Sequence, residues 1–346
     1  MKVLVSFEPR LSHDNFEGTR LRKTIKGGLE MHDVKYTSNL LDEYDVAHFI
    51  SCEDELKINE IKEKNVPVVV SALYCEDDPV ASFLDFKNKD GERIITLKSK
   101  GLRVLNKADL VLVPTETARD FLINNGVTSP IQVCRTCVNL ARFDFSREDE
   151  KDIFYRYFGE DKNKKLVLTL GDYGGNLDGI NSLIHVAKKN PNAINAEKIG
   201  DLLFSMVEKY AKTLRVRRYT HIAPKNVRFK GLLPDDVYRS ALMNASLYLV
   251  TKYGPAGVVG ITDAMAAKCQ IISRKTPLFS ELFTDGENAY LAEYSETITS
   301  LIKDFLDGKL KPTIENAHKE ISQYDLSYFG ERLIWFYTQL INKNKF

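Results

Sequence analysis

Short apolar runs alternate with helical stretches along the first half of the chain. Residues 3–7, 34–37, 45–50, 66–73, 110–114 and 131–134 read as strands of four to eight residues. Between them, 19–30, 55–64, 97–107 and 117–124 carry helical periodicity, the first with a basic face of Arg20, Arg22, Lys23 and Lys26. Strands of this length separated by helices of about ten residues mark a parallel sheet with crossover helices. The pattern pauses over 143–165, which holds a charged helix ending at Gly159 and no apolar strand. It then restarts, with strands at 166–170, 227–230, 247–251 and 270–273. Helices are expected at 180–189, 201–215, 235–244 and 262–267, and a last apolar helix at 328–341 carries the single Trp. The fold class is therefore α/β: two Rossmann-like domains with a cleft between them. The expected division is 1–143, joined by a C-terminal helix at 326–346 that crosses back, and 144–325.

Composition narrows the classes without choosing a function. Of 346 residues, 43% are hydrophobic and 28% charged, which excludes a disordered chain. No apolar run reaches the ~18–20 residues of a membrane span, and the opening strand is too short for a cleavable signal. Five cysteines, an odd number without regular spacing, fit a reducing cytoplasm. Nothing in a net charge of +1 calls for nucleic acid, and none is expected as a partner. The first 150 residues carry five more acids than bases, the rest six more bases than acids, a balance that suits an anionic ligand on the second half. Cys134 and Cys137 form a CxxC, but Cys52, Cys75 and Cys269 supply no second ligand pair, so packing is expected and no metal. His48 falls on a buried strand, His185 on a helix face and His221 beside a basic run, each in a core or surface role. The basic run 209–218 reads as a solvated helix end, with an anion or membrane patch as the alternative.

The most informative stretch runs from Thr251 to Leu291. A strand ends at Thr251, a Gly/Pro-rich loop follows, and a helix starts near 259–262 with Asp263 in its first turn. Glycines let a backbone approach a ligand closely, and the free N–H groups of a helix start favour phosphate. A carboxylate just inside that helix suits ribose hydroxyls. An ordinary βα loop with an acidic first turn has the same pattern, because the helix dipole favours it.

Several motifs resemble the retaining GT-B glycosyltransferases of family 4. Asp263-Ala264-Met265-Ala266 is similar to the end of their paired-acid motif, and Thr284-Asp285-Gly286-Glu287-Asn288-Ala289 to the segment that follows. Asn106-Lys107-Ala108-Asp109 with Val113-Pro114-Thr115, the strand at 226–231 and the helix at 241–246 fit in order. Tyr44-Asp45-Val46 and Phe154-Tyr155-Arg156-Tyr157-Phe158 resemble the short bacterial branch that adds the second sugar to glucosyl-diacylglycerol. The resemblance implies a nucleotide-sugar donor, a UDP-sugar, as substrate, with no other cofactor. It implies a glycolipid or polysaccharide acceptor, and a peripheral place at the inner membrane face. Donor-binding positions would be Gly171, Lys252, Gly257, Val258, Gly260 and Asp263, with Arg20 on the acceptor side.

The departures from that family concentrate in the donor site. The Arg and Lys that hold the diphosphate are absent from Gly171-Asp172-Tyr173-Gly174-Gly175-Asn176-Leu177-Asp178-Gly179, where Asp178 stands near the place of the Lys. A carboxylate there repels a diphosphate. The first acid of the pair falls on Gly254 or Pro255, the His after the fourth strand is replaced by Ser71-Ala72-Leu73-Tyr74-Cys75, and the interdomain segment reads Thr136-Cys137-Val138-Asn139. Lys252, Arg228 and Lys230 are the basic residues available as substitutes, and no catalytic residue is assigned. Two functions remain open: a sugar-transferring enzyme with a rebuilt donor site, or a pseudo-glycosyltransferase that scaffolds an active partner glycosyltransferase.

Overall fold

The computed structural model describes residues 1–7, 17–50, 55–72, 83–87, 93–143, 146, 148–171, 179–190, 202–208, 222–231, 233–252 and 259–343. Two compact units share the chain. The first comprises Met1–Asn139, Pro255–Val259 and Tyr324–Phe346, the second Leu140–Gly254 and Gly260–Gln323.

In the first unit, β1 (Lys2–Ser6), β2 (Lys35–Thr37), β3 (Val46–Ile50) and β4 (Val68–Ser71) alternate with α1 (Glu17–Glu30) and α2 (Glu55–Glu63). An antiparallel pair, β5 (Phe83–Lys87) and β6 (Arg93–Leu97), then interrupts the pattern. It is followed by α3 (Ser99–Leu105), β7 (Leu110–Val113), α4 (Glu116–Asn124) and β8 (Ile131–Val133). The sheet order is β2-β1-β3-β4-β7-β8, with every neighbouring pair parallel. Successive side chains of a strand point to opposite faces, and the cores divide accordingly. Val3, Val5, Val46, Ile50, Val69, Leu110 and Leu112 pack on one face with Ile25 and Leu29 of α1. Leu4, Ala47, Phe49, Val68, Val70 and Val111 pack on the other with residues of α2, α3 and α4. A sheet buried on both faces reads as continuous apolar strands, which is why this half was legible.

The C-terminal helix, Leu326–Lys343, belongs to this first unit and lies against α1. Its approach is too close for side chains: a Cβ on Gly330 would come within 2.4 Å of the Gly28 carbonyl oxygen. Phe329, Leu333, Phe336 and Tyr337 supply the buried face, while Trp335 is 52% exposed.

The second unit opens with α5 (Glu148–Lys151) and α6 (Ile153–Phe158), which Gly159 ends in the left-handed conformation, φ 61°. There follow β9 (Lys165–Gly171), α7 (Ile180–Lys189), β10 (Leu202–Glu208), β11 (Val227–Gly231), α8 (Asp235–Asn244), β12 (Ala245–Val250) and α9 (Val259–Ala266). The remainder is β13 (Gln270–Arg274), α10 (Pro277–Leu282), β14 (Tyr290–Ala292), α11 (Ser295–Leu306) and α12 (Ile314–Ile321). The order β11-β10-β9-β12-β13-β14 is again wholly parallel and, in chain order, reads 3-2-1-4-5-6.

One expected element is corrected. The helix read at 201–215 is, over its described part, the strand β10, paired on both sides with β9 and β11. Leu-Leu-Phe-Ser-Met-Val is an almost unbroken apolar run, and such a run fits a buried helix or a buried parallel strand equally well. Two flanking strands settle it by taking up its backbone hydrogen bonds.

Candidate functional site

The strand order of the second unit reverses between β9 and β12. These strands pair directly, Leu168 opposite Tyr248, yet the chain leaves β9 toward β10 on one side and leaves β12 toward β13 on the other. Beyond the carboxyl ends of such a pair the two connections diverge, and a crevice opens that ligands use. Gly171 is the last residue of β9 and Lys252 the second residue after β12, so both belong to this switch point. Gly179, at the start of α7, has φ +67°, and a Cβ there would sit 1.9 Å from the Thr251 carbonyl oxygen. Glycine is required for the α7 N-terminus to lie on the end of β12.

Three charged side chains are buried around this point. Lys252 is buried directly after β12. Asp263, expected in the first turn of its helix, falls in the second turn of α9 because that helix already starts at Val259. It is only 2% exposed, and its Oδ1 lies 3.7 Å from Nη1 of Arg142. Arg142 belongs to the 3-10 turn Leu140–Phe143, and its Nη2 donates to Asp235 Oδ1 at 2.5 Å. Arg239 extends the network, donating to the Arg142 carbonyl at 3.0 Å and to Glu150 at 3.2 Å. The third buried charge is Arg274, the last residue of β13. Its Nε donates to the Thr251 carbonyl at 3.1 Å, Nη1 to the Glu293 carbonyl at 2.7 Å, and Nη2 to Ser182 Oγ at 2.9 Å. One guanidinium thus ties the end of β12 to the first turn of α7 and to the segment before α11. Sequence reading missed Arg274 and Arg142. The available signal was the charge closing the apolar run Gln-Ile-Ile-Ser-Arg.

Of the expected donor residues, Lys252, Gly171, Gly260 and Asp263 fall on the elements that meet at the switch point. Gly260 is buried in the first turn of α9. Gly257 and Val258 lie outside the described residues, as do Leu177, Asp178, Gly254, Pro255, His221 and the run 209–218. Arg20 is buried in α1 of the first unit. Two suggested substitutes are corrected: Lys230 pairs with Glu160 and stacks over the Phe158 ring, and Arg228 lies 3.8 Å from the same carboxylate. Their strand, β11, is an edge strand separated from β12 by β10 and β9, which removes them from the switch point.

Other motif positions work for the fold. Asp285 accepts from the Leu291 N–H at 2.8 Å and Asn288 from the Thr284 N–H at 2.8 Å, closing the turn before β14 around Gly286 at φ +74°. Asn226 donates to the Ala187 and Asn190 carbonyls at the end of α7. Asp109 accepts from the Val68 N–H at 2.8 Å and so fixes β4. Cys134 and Cys137 are free thiols, Cys137 buried in the core of the first unit and Cys134 half-buried against it. Burial pushes Cys134 up to about 12 and Cys137 higher still, so both stay protonated. Among the described residues no group of three or more His, Cys, Asp or Glu could hold a metal ion. No helix among them is long and apolar enough to cross a membrane.

Comparison with known proteins follows this division. The family model for glycosyl transferases group 1 matches residues 150–324. The chain belongs to that family. The matched stretch covers β9 through α12, the whole described sheet of the second unit. Among solved structures, Anabaena HepE in complex with UDP and glucose is similar at a TM-score of 0.71 and 14% identity, over 98% of this chain and 100% of that one. The sucrose-phosphate synthase of Thermosynechococcus elongatus is similar at 0.66 and 14%, over 97% and 81%. A glycosyltransferase from Rickettsia africae is similar at 0.63 and 13%, over 98% of each. No curated protein matches in sequence. The fold of this group 1 glycosyl transferase is therefore GT-B: two parallel α/β units and a C-terminal helix that returns to the first.

Proposed function

We propose that this group 1 glycosyl transferase moves a sugar from a nucleotide-diphosphate donor, a UDP-sugar, to a hydroxyl of a glycolipid or polysaccharide, with retention of configuration. The observation that carries the reading is the buried carboxylate of Asp263 on the helix leaving the switch point of the matched unit. A carboxylate removed from water strongly favours hydrogen-bond donors, and vicinal ribose hydroxyls supply two. Lys252 adds positive charge beside the phosphates, and the N–H groups at the start of α9 add more. The HepE structures hold UDP, UDP-glucose, or UDP with glucose, which supports the choice of nucleotide. The motif resemblance supports family 4, the retaining outcome and the lipid-linked acceptor, and with it peripheral attachment to an inner membrane face.

Calorimetric titration with UDP tests this reading. Heat is expected with the wild type, with affinity about tenfold lower in Asp263→Ala for loss of charge-assisted hydrogen bonds. Asp178→Lys should tighten binding by removing a repulsive charge. No heat with any nucleotide diphosphate would overturn the donor assignment. One observation favours the second reading, a pseudo-glycosyltransferase: Arg142 already engages the Asp263 carboxylate. UDP-glucose that binds but is neither transferred nor hydrolysed would select that scaffold.

A further inference from the structure

The first unit contains a cavity of about 30 Å³ at the carboxyl ends of β4, β7 and β8, covered by α1 and the C-terminal helix. Its walls include Ala72, Leu112, Phe329 and Leu333, and none of its lining residues is charged. Cys134 borders it with a thiol that burial keeps protonated. The polar group of interest is Ser71, which closes β4 and is itself buried.

Behind Ser71 stands a linear chain of hydrogen bonds. Its Oγ lies 2.7 Å from His48 Nε2, and His48 Nδ1 lies 2.6 Å from Tyr337 Oη. His48 and Tyr337 are fully buried, and His48 is neutral because burial holds it near 3. A neutral imidazole has one N–H, so the chain must run in one of two directions. If Nδ1 carried the proton, Tyr337 would accept, and its own hydroxyl proton would have no acceptor among the described residues. Leaving a buried donor unmet is unfavourable, because its lost hydration is not replaced. The chain therefore runs from Tyr337 O–H to Nδ1, and from Nε2–H to Ser71 Oγ. Ser71 accepts from His48 and keeps its own hydroxyl proton for the cavity.

We infer that this cavity binds the hydroxymethyl group, –CH2OH, of an uncharged ligand, its carbon against the apolar walls and its oxygen accepting from Ser71. The size fits: a water-sized group needs roughly 10–15 Å³ of such space, so the cavity holds about two heavy atoms. A lining without charged side chains disfavours ions of the same size, because nothing in it compensates their lost hydration. The inference uses the first unit alone and does not depend on the donor reading.

Methyl-resolved NMR of the full chain tests it, with ethanol, glycerol and methyl glucoside as probes and ethylammonium and acetate as charged controls. The neutral probes are expected to shift the Leu112 and Leu333 methyls saturably, and the carrier that saturates at the lowest concentration identifies whether a simple alcohol, a polyol or a sugar is preferred. Ser71→Ala should weaken saturation about tenfold. Ala72→Leu, which fills the cavity, should abolish it while unshifted methyls elsewhere report an intact fold. Shifts that never saturate with any neutral probe, that occur equally with ethylammonium, or that persist unchanged in both variants would overturn the assignment.

Discussion

The two units build the same kind of sheet and finish its strand ends differently. The main sheet of each unit is six-stranded and parallel, and that of the first unit is covered on both faces. In the first unit, His48 in the middle of β3, Ser71 at the end of β4 and Tyr337 on the C-terminal helix are buried, neutral and joined in series by hydrogen bonds. Its buried cation, Arg20, sits on α1 instead. At the strand ends of the second unit, Lys252 and Arg274 are buried as ions, with Asp263 on the next helix. Burying an ion costs several kcal/mol unless hydrogen bonds offset it, whereas a neutral relay costs little. A fold has no need of the dearer solution at one sheet and not the other. The difference matches the two ligands proposed above, an anionic donor on the second unit and a neutral hydroxyl group on the first.

The largest expected effect tests the ionic side. Arg274→Met keeps the bulk of the side chain and removes its hydrogen bonds to the Thr251 and Glu293 carbonyls and to the Ser182 and Ser295 hydroxyls. Leaving a buried acceptor unpaired costs about 1–3 kcal/mol, so the several lost here should together cost about 3–5 kcal/mol, to be read from urea unfolding followed by circular dichroism. A loss below about 1 kcal/mol, the range of a solvent-exposed ion pair, would erase the contrast between the units.

Where the sequence was legible and where it was not follows the same physics. Strands such as Val68–Ser71 and helices such as Ile180–Lys189 announce themselves because each residue's polarity reports its own burial. Residues 202–208 misled because an almost unbroken apolar run reports burial without reporting period. The pair β5 and β6 was missed, since mixed polar and apolar residues between 83 and 97 resemble a loop. Asp263 was found through a motif, but its partner Arg142 lies over a hundred residues earlier, and only the fold joins them. The same holds for Ser71 and His48, which sit on neighbouring strands and look unrelated in the chain.

The next effect belongs to the neutral side. Burial lowers His48 from its ordinary 6.5 to about 3, and its hydrogen-bond partners among the described residues are Ser71 and Tyr337. Between these values the unfolded chain binds a proton that the folded chain does not. Stability therefore falls as the pH drops below about 6.5, and the loss is complete near 3. At pH 4 the His48 contribution amounts to about 3 kcal/mol. Urea midpoints at pH 7 and pH 4 should differ by that much more in the wild type than in His48→Gln, which has no such proton to gain. Equal pH dependence in the two proteins would show a hydrated His48 and a wet strand end.

The smallest effect asks whether the two units are separate objects in energy as well as in chemistry. Each has a threonine N-cap: Thr115 Oγ1 accepts from the Ala118 N–H at 3.1 Å before α4, and Thr276 Oγ1 from the Phe279 N–H at 3.3 Å before α10. Removing such a cap costs about 1 kcal/mol, and the longer bond at Thr276 should cost less. The single tryptophan, Trp335, lies on the C-terminal helix of the first unit, so its fluorescence reports that unit, whereas circular dichroism reports both. Thr115→Ala is expected to move the fluorescence transition to lower urea. Thr276→Ala should leave it in place and shift only the dichroism. If Thr276→Ala moves the fluorescence transition equally, the units unfold as one, and the contrast between their strand ends would have to be read as two parts of one cooperative core.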